Sequence, residues 1–116
     1  PQVRSLLNAA DKRHAQVVAE FPTLKRGPEG YFRAANALFG EGDYRAAAVA
    51  YWRSYKMQKD IASSPYSNQA LIGAGISALR AGDPAMARKA FALVEDNSAF
   101  REVAALWSLY AETTAS

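Results

Sequence analysis

The 116-residue chain contains no cysteine and a single histidine, His14. Without thiols there is no disulfide scaffold, no thiolate zinc site and no cysteine nucleophile, and the redox compartment is left open. One imidazole cannot furnish a multi-histidine metal site, and it makes a Ser-His-Asp triad hard to assemble. Helix breakers are scarce, with five prolines and seven glycines. No uninterrupted apolar run approaches the roughly 20 residues of a membrane span, and no signal-peptide pattern stands at the N-terminus. The chain opens on Pro1 rather than Met, as a processed or excised piece would, so any anchor or leader is expected outside it. Charge of one sign is also in short supply. Residues 1–62 hold ten basic and six acidic side chains and residues 63–116 four and five, for a net +3. That excess suits an acidic partner but is too small by itself to argue nucleic-acid binding.

Alanine is what the chain has in quantity, at 25 residues, within a composition that is half apolar and 22% charged. A packed core is within reach of such a chain. Alanine loses no side-chain entropy in a helix and lets neighbouring helices approach closely. Periodicity and capping residues divide the sequence into six helices with no credible strand. The first, from about residue 2 to 20, places Val3, Leu6, Leu7, Ala10, Val17 and Phe21 on one side and stops at Pro22. Gly27-Pro28 opens the second, whose face is Tyr31, Ala34, Ala35 and Leu38. Gly40-Glu41-Gly42 ends it, and Asp43 caps the third, which aligns Tyr44, Ala47, Ala48, Tyr51 and Tyr55. After the loop Ser63–Asn68, with Ser67 or Asn68 as cap, the fourth buries Leu71, Ala74, Gly75 and Ala78. Asp83-Pro84 opens the fifth, with Ala87, Ala90, Phe91 and Val94, and the last aligns Val103, Leu106, Trp107 and Tyr110. The fold class read from this is all-α, as one domain over residues 1–116.

The second and third helices set above the fourth and fifth expose an internal repeat. Tyr31-x2-Ala34-Ala35-x2-Leu38 matches Leu71-x2-Ala74-Gly75-x2-Ala78. Gly42-Asp43-Tyr44 matches Gly82-Asp83-Pro84, and Ala47-x3-Tyr51 matches Ala87-x3-Phe91. The pattern resembles the tetratricopeptide repeat (TPR), a helix–turn–helix unit of about 34 residues with a W-x2-L-G-x2-Y…A-x3-F…P pattern. Ala10-x3-His14…Pro22 is similar to the end of a preceding unit, with His14 where an aromatic is usual, and Trp107-x2-Tyr110-Ala111 to the start of a following one. Asp43 and Asp83 stand 40 positions apart, and both units lack the closing proline, with Lys59 and Ala99 in its place. The extra length is expected in the third helix or its loop near Lys56–Asn68. The resemblance implies a right-handed superhelix of antiparallel hairpins that works as a protein-interaction module.

Catalytic constellations are not evident. His14 reads as a partly buried residue filling an aromatic slot. Gly40-Glu41-Gly42 is a helix stop and Gly73-Ala74-Gly75 lies inside a helix, so neither is a phosphate loop. Glu95 and Asp96 are adjacent in a turn, as solvated caps are. No enzymatic activity, metal or cofactor is expected.

In the TPR family the first helix of each hairpin lines the concave side, where partners commonly lie. On the second helix the remaining stripe carries Phe32, Arg33, Asn36 and Phe39, and on the fourth it carries Ile72, Ile76, Leu79 and Arg80. A surface helix needs only one apolar stripe, so a second wants an explanation. Either the pair of stripes forms a groove for an apolar peptide or helix of a partner protein, or these residues pack on neighbouring helices or under residues 1–10. Some family members clamp a C-terminal carboxylate; Asn36 and Arg80 are suitably sited for that, but Phe32, Ile72 and Ile76 fill the other positions.

Two other readings stay open. The third helix presents Arg45, Val49, Trp52, Arg53, Lys56 and Lys59, a basic face with an aromatic, which suits a nucleic-acid surface but more commonly means a solvated face with Trp52 packed inward. Terminal half-repeats with Phe100 and Leu109 off the main stripe suit self-association. Composition has a bacterial character, and bacterial proteins of this family serve in envelope, secretion or polysaccharide-export complexes. A cytoplasmic or periplasmic place is then expected, with membrane contact only through a segment outside the chain.

Overall fold

The computed structural model describes residues 2–21, 28–58, 67–94 and 101–115. Within them lie α1 (Gln2–Glu20), α2 (Pro28–Gly40), α3 (Tyr44–Gln58), α4 (Ser67–Arg80), α5 (Pro84–Ala92) and α6 (Arg101–Ala115), and no strand among the described residues. Each helix packs on its neighbours in sequence; α1 also reaches α3, and α4 reaches α6. The result is an all-α array of antiparallel hairpins. Its shortest dimension, 22 Å, is that of two stacked helices, each about 10–12 Å across.

The two hairpin turns are built alike. Gly42 and Gly82 adopt φ of 84° and 83°, a left-handed conformation in which glycine has no Cβ to strain. Asp43 N–H then donates to Leu38 O at 2.9 Å and Gly42 N–H to Phe39 O at 3.0 Å; Asp83 N–H donates to Ala78 O at 2.8 Å and Gly82 N–H to Leu79 O at 3.1 Å. This paired closure is the Schellman ending, which satisfies carbonyls that a helix C-terminus otherwise leaves free. The aspartates that follow cap the next helix, their carboxylates accepting from Ala46 N–H at 3.4 Å and Met86 N–H at 3.1 Å. The expected helix boundaries hold at both turns. α4 already includes both Ser67 and Asn68, so neither is the cap expected of them, and Lys59, Glu95, Asp96, Ala99 and Phe100 lie outside the described residues.

The core follows the alanine seams. Ala34, Ala35, Ala46, Ala47, Ala50, Ala70, Ala74, Ala78, Ala87 and Ala90 are fully buried. Between them sit Leu38, Tyr51, Leu71 and Phe91 as the larger knobs. Gly73 and Gly75 let two of those knobs in. A methyl group on Gly73 would stand 2.8 Å from the Tyr51 ring, and one on Gly75 would overlap the Phe91 ring.

Burial on α3 exceeds the single face expected of it. Ala46, Ala47, Ala48, Ala50, Tyr51, Ser54 and Gln58 are all buried, because α1, α2 and α4 surround this helix. Its polar members are used: Ser54 Oγ donates to the Pro28 carbonyl at 2.9 Å and accepts from Gln58 Nε2 at 3.2 Å. α3 is also long, 15 residues against 9 in α5, so the extra length of the first unit lies at least partly in that helix.

α6 departs from the expected face. Ala104 and Ala111 are its fully buried residues, while Leu106, Tyr110 and Val103 remain 65%, 54% and 40% exposed. The large side chains cannot approach α5 as closely as the alanines do, and no further helix covers the other side among the described residues. Arg101 fastens the start of α6 by donating to the Phe91 and Val94 carbonyls at 3.2 and 3.4 Å, the position at a helix C-terminus where a cation is favoured.

Candidate functional site

A groove of about 610 Å³ runs between α4 and α6, lined by Ile76, Leu79 and Arg80 on one side and Leu106, Trp107 and Tyr110 on the other. Its walls arise from the packing just described. α4 turns Leu71, Ala74 and Ala78 into the core and leaves Ile76 and Leu79 half-buried at its shoulder. α6 sits on its alanines, so Leu106 and Tyr110 are carried up as the opposite wall. Trp107 and Tyr110 meet edge-on at 5.8 Å between centroids, a geometry that favours aromatic contact and stiffens that wall.

The residues expected to form a partner surface do not gather in one place. Ile76, Leu79 and Arg80 belong to the groove. Phe39 lies next to them through Arg80, whose guanidinium rests 5.4 Å from the Phe39 ring and 5.6 Å from the Tyr44 ring, these two rings meeting edge-on at 5.1 Å. Phe32 and Asn36 gather around Tyr51 instead. The Phe32 ring is edge-on to Tyr51 at 5.7 Å, and the Tyr51 hydroxyl donates to Asn36 Oδ1. Burial pushes that hydroxyl up to about 12, so it stays a donor at any ordinary pH. Arg33 is engaged elsewhere, with Glu29 at 3.6 Å and over the Phe21 ring at 5.0 Å. Ile72 is half-buried against the α4–α6 core cluster and does not line the groove.

Phe32, Phe39, Ile72, Ile76 and Leu79 are all half-buried: rooted in the core yet not sealed within it. Nor does α1 fill the groove, since it packs on α2 and α3. The residues the sequence reading did not assign to this site are Leu106, Trp107 and Tyr110. A signal for them existed, because alanine marks the close seams from α2 to α5 and α6 carries Ala104 and Ala111 seven residues apart.

The basic face of α3 has a different character. Trp52 is half-buried and packs against both core clusters, 5.5 Å from Tyr55 and with Lys56 5.9 Å above its ring. Arg53 is paired with Asp11 at 2.6 Å and rests 5.3 Å from the Tyr31 ring. A base would find little free ring face here. Arg45 and Val49 border a smaller hollow of about 220 Å³ with Asp83 and Met86; Lys59 lies outside the described residues.

His14 sits at the junction of α1, α2 and α3. Its ring stacks on Tyr31 at 3.9 Å with 7° between planes, and its Nε2 is buried with no hydrogen-bond partner. The Tyr31 hydroxyl donates to Asp11 Oδ1 at 2.7 Å, the same oxygen that Arg53 holds. Burial lowers the imidazole pKa below its ordinary 6.5, opposed by Asp11 and assisted by Arg53. Tyr31 is raised by burial and by its bond to Asp11. This is a structural junction in an aromatic slot.

Among the described residues no helix is long and apolar enough to cross a membrane, and no three His, Asp or Glu side chains converge as metal ligands. No protein-family model, curated protein or solved structure matches the chain.

Proposed function

We propose that the chain is a non-catalytic protein-interaction module of TPR type, a scaffold or adaptor that holds an apolar peptide segment or helix of a partner protein. The observation that supports this reading best is the groove between α4 and α6, whose walls keep Leu106 at 65% and Tyr110 at 54% exposure. A water-exposed leucine and tyrosine along one wall of a concavity, opposite half-buried Ile76 and Leu79, are what a helix-in-groove partner covers. Burying Leu106 alone is worth on the order of 2 kcal/mol before the costs of association. The repeat likeness of α2–α3 and α4–α5 adds the expectation that the inner helices are the binding side. A multiprotein assembly of the bacterial envelope, in secretion or polysaccharide export, is the setting that the resemblance suggests.

The test compares the chain carrying a photo-crosslinking phenylalanine at position 106 with one carrying it at Lys89, on α5. Crosslinking in the producing cell yields a discrete adduct from position 106 alone, and Leu106→Glu abolishes capture by the immobilised chain while its thermal melt is unchanged. Equal crosslinking from both positions, or capture unaffected by Leu106→Glu, defeats the proposal.

A further inference from the structure

Among the described residues three arginines rest on aromatic rings, and they are not equivalent. Arg33 lies over Phe21 and is paired with Glu29 at 3.6 Å. Arg53 lies over Tyr31 and is paired with Asp11 at 2.6 Å. Arg80 lies over two rings, Phe39 at 5.4 Å and Tyr44 at 5.6 Å, and among the described residues no carboxylate is within ion-pair distance of it. The stacked fork needs the same thing in all three cases. A guanidinium held on an aromatic face keeps its planar N–H edge free for a carboxylate, and loses little further rotamer freedom when one arrives. Two of the three have theirs from within the chain.

The third lines the apolar groove. Ile76 and Arg80 both face it and are separated by one helical turn of α4, about 6 Å along the axis. A partner helix lying alongside α4 has the same rise, so an apolar residue seated against Ile76 places its own i+4 side chain beside Arg80. From this charge complementarity we infer that the groove's occupant is an amphipathic α-helix of a partner protein, carrying an aspartate or glutamate four residues from an apolar anchor, with its carboxylate on the Arg80 guanidinium. This rests on the groove reading proposed above and specifies the chemistry of the partner.

The experiment uses fluorescence anisotropy with the whole chain and labelled, C-terminally amidated helical peptides. The peptides share leucines at i and i+3 and differ only at i+4, which is Glu, Gln or Lys. Amidation removes the terminal carboxylate as a source of binding. The Glu peptide is expected to bind about tenfold more tightly than the Gln peptide, as a charge-assisted bidentate contact outweighs a neutral one, with the Lys peptide weaker still. Arg80→Gln is expected to bring Glu and Gln to equal affinity while leaving Gln binding unchanged. Equal binding of the Glu, Gln and Lys peptides by the unsubstituted chain overturns the carboxylate inference and leaves the groove reading standing. No binding of any peptide overturns both, and restored binding only on freeing the C-terminal carboxylate shows a chain terminus to be the true ligand.

Discussion

Gly75 is the tightest point of the second hairpin, because the Phe91 ring lies where its Cβ would be. Phe91 is itself fully buried and has no room to retreat. Gly75→Ala gains helix propensity, roughly 1 kcal/mol, but overpacks the seam at a cost of about 1–3 kcal/mol. Net destabilisation is expected in a thermal melt, and Phe91→Leu in the same chain should make the alanine less harmful than it is alone. Ser77 is the opposite case. It is fully buried, its hydroxyl has no hydrogen-bond partner, and the matching place in the first unit is Ala37. An orphan buried hydroxyl costs on the order of 1–3 kcal/mol, so Ser77→Ala is expected to raise the denaturation midpoint; an unchanged or lower one would show that the hydroxyl has a use.

At the level of the helix, α1 is held by a different chemistry from the alanine seams. Among its described side chains Ala10 is the buried one, while Leu7, and Phe21 just past its end, are 36% and 41% exposed. Arg13 pairs with Glu41 at 2.9 Å, and Asp11 joins Tyr31 and Arg53. His14 is central to that junction, and its lowered pKa makes the docking of α1 dependent on pH. The folded chain favours neutral imidazole, so the unfolded chain binds more protons below pH 6.5. The contribution of His14 is complete above that value and is lost as pH falls from about 6.5 toward its lower folded pKa. Protection factors across residues 8–20, which are exchange rates corrected for the intrinsic pH dependence of amide exchange, are expected to fall between pH 7 and pH 5, and His14→Phe, which keeps the stack on Tyr31, should flatten that response. A response of equal size in the His14→Phe chain would show that His14 is not its source.

On the scale of the whole molecule, the described residues leave the outer side of α6 uncovered. Val103, Leu106, Leu109 and Tyr110 give α6 an exposed apolar arc, and isolated chains with such a surface associate as concentration rises. Light scattering at two concentrations is expected to show a rise in apparent mass that Leu109→Lys diminishes, since Leu109 is 61% exposed and lies outside the groove lining. A constant mass for both chains would mean that the arc does not drive self-association.

Local chemistry made the fold legible. Gly42-Asp43 and Gly82-Asp83 encode a left-handed helix ending followed by a side-chain cap, and each operates within six residues of its own backbone. Alanine and glycine spacing likewise announced the seams at Ala35 and Gly75. The composition of the groove was only half readable, because a helix with two apolar faces does not state which one its neighbour takes. Tertiary packing decided that, by seating α6 on Ala104 and Ala111 so that its leucines and tyrosine turned outward. It also separated Arg80 from Arg33, two arginines at the ends of similar stripes. Arg33 closed on Glu29 one turn away, while Arg80 came to rest on rings from another hairpin at the lining of the groove.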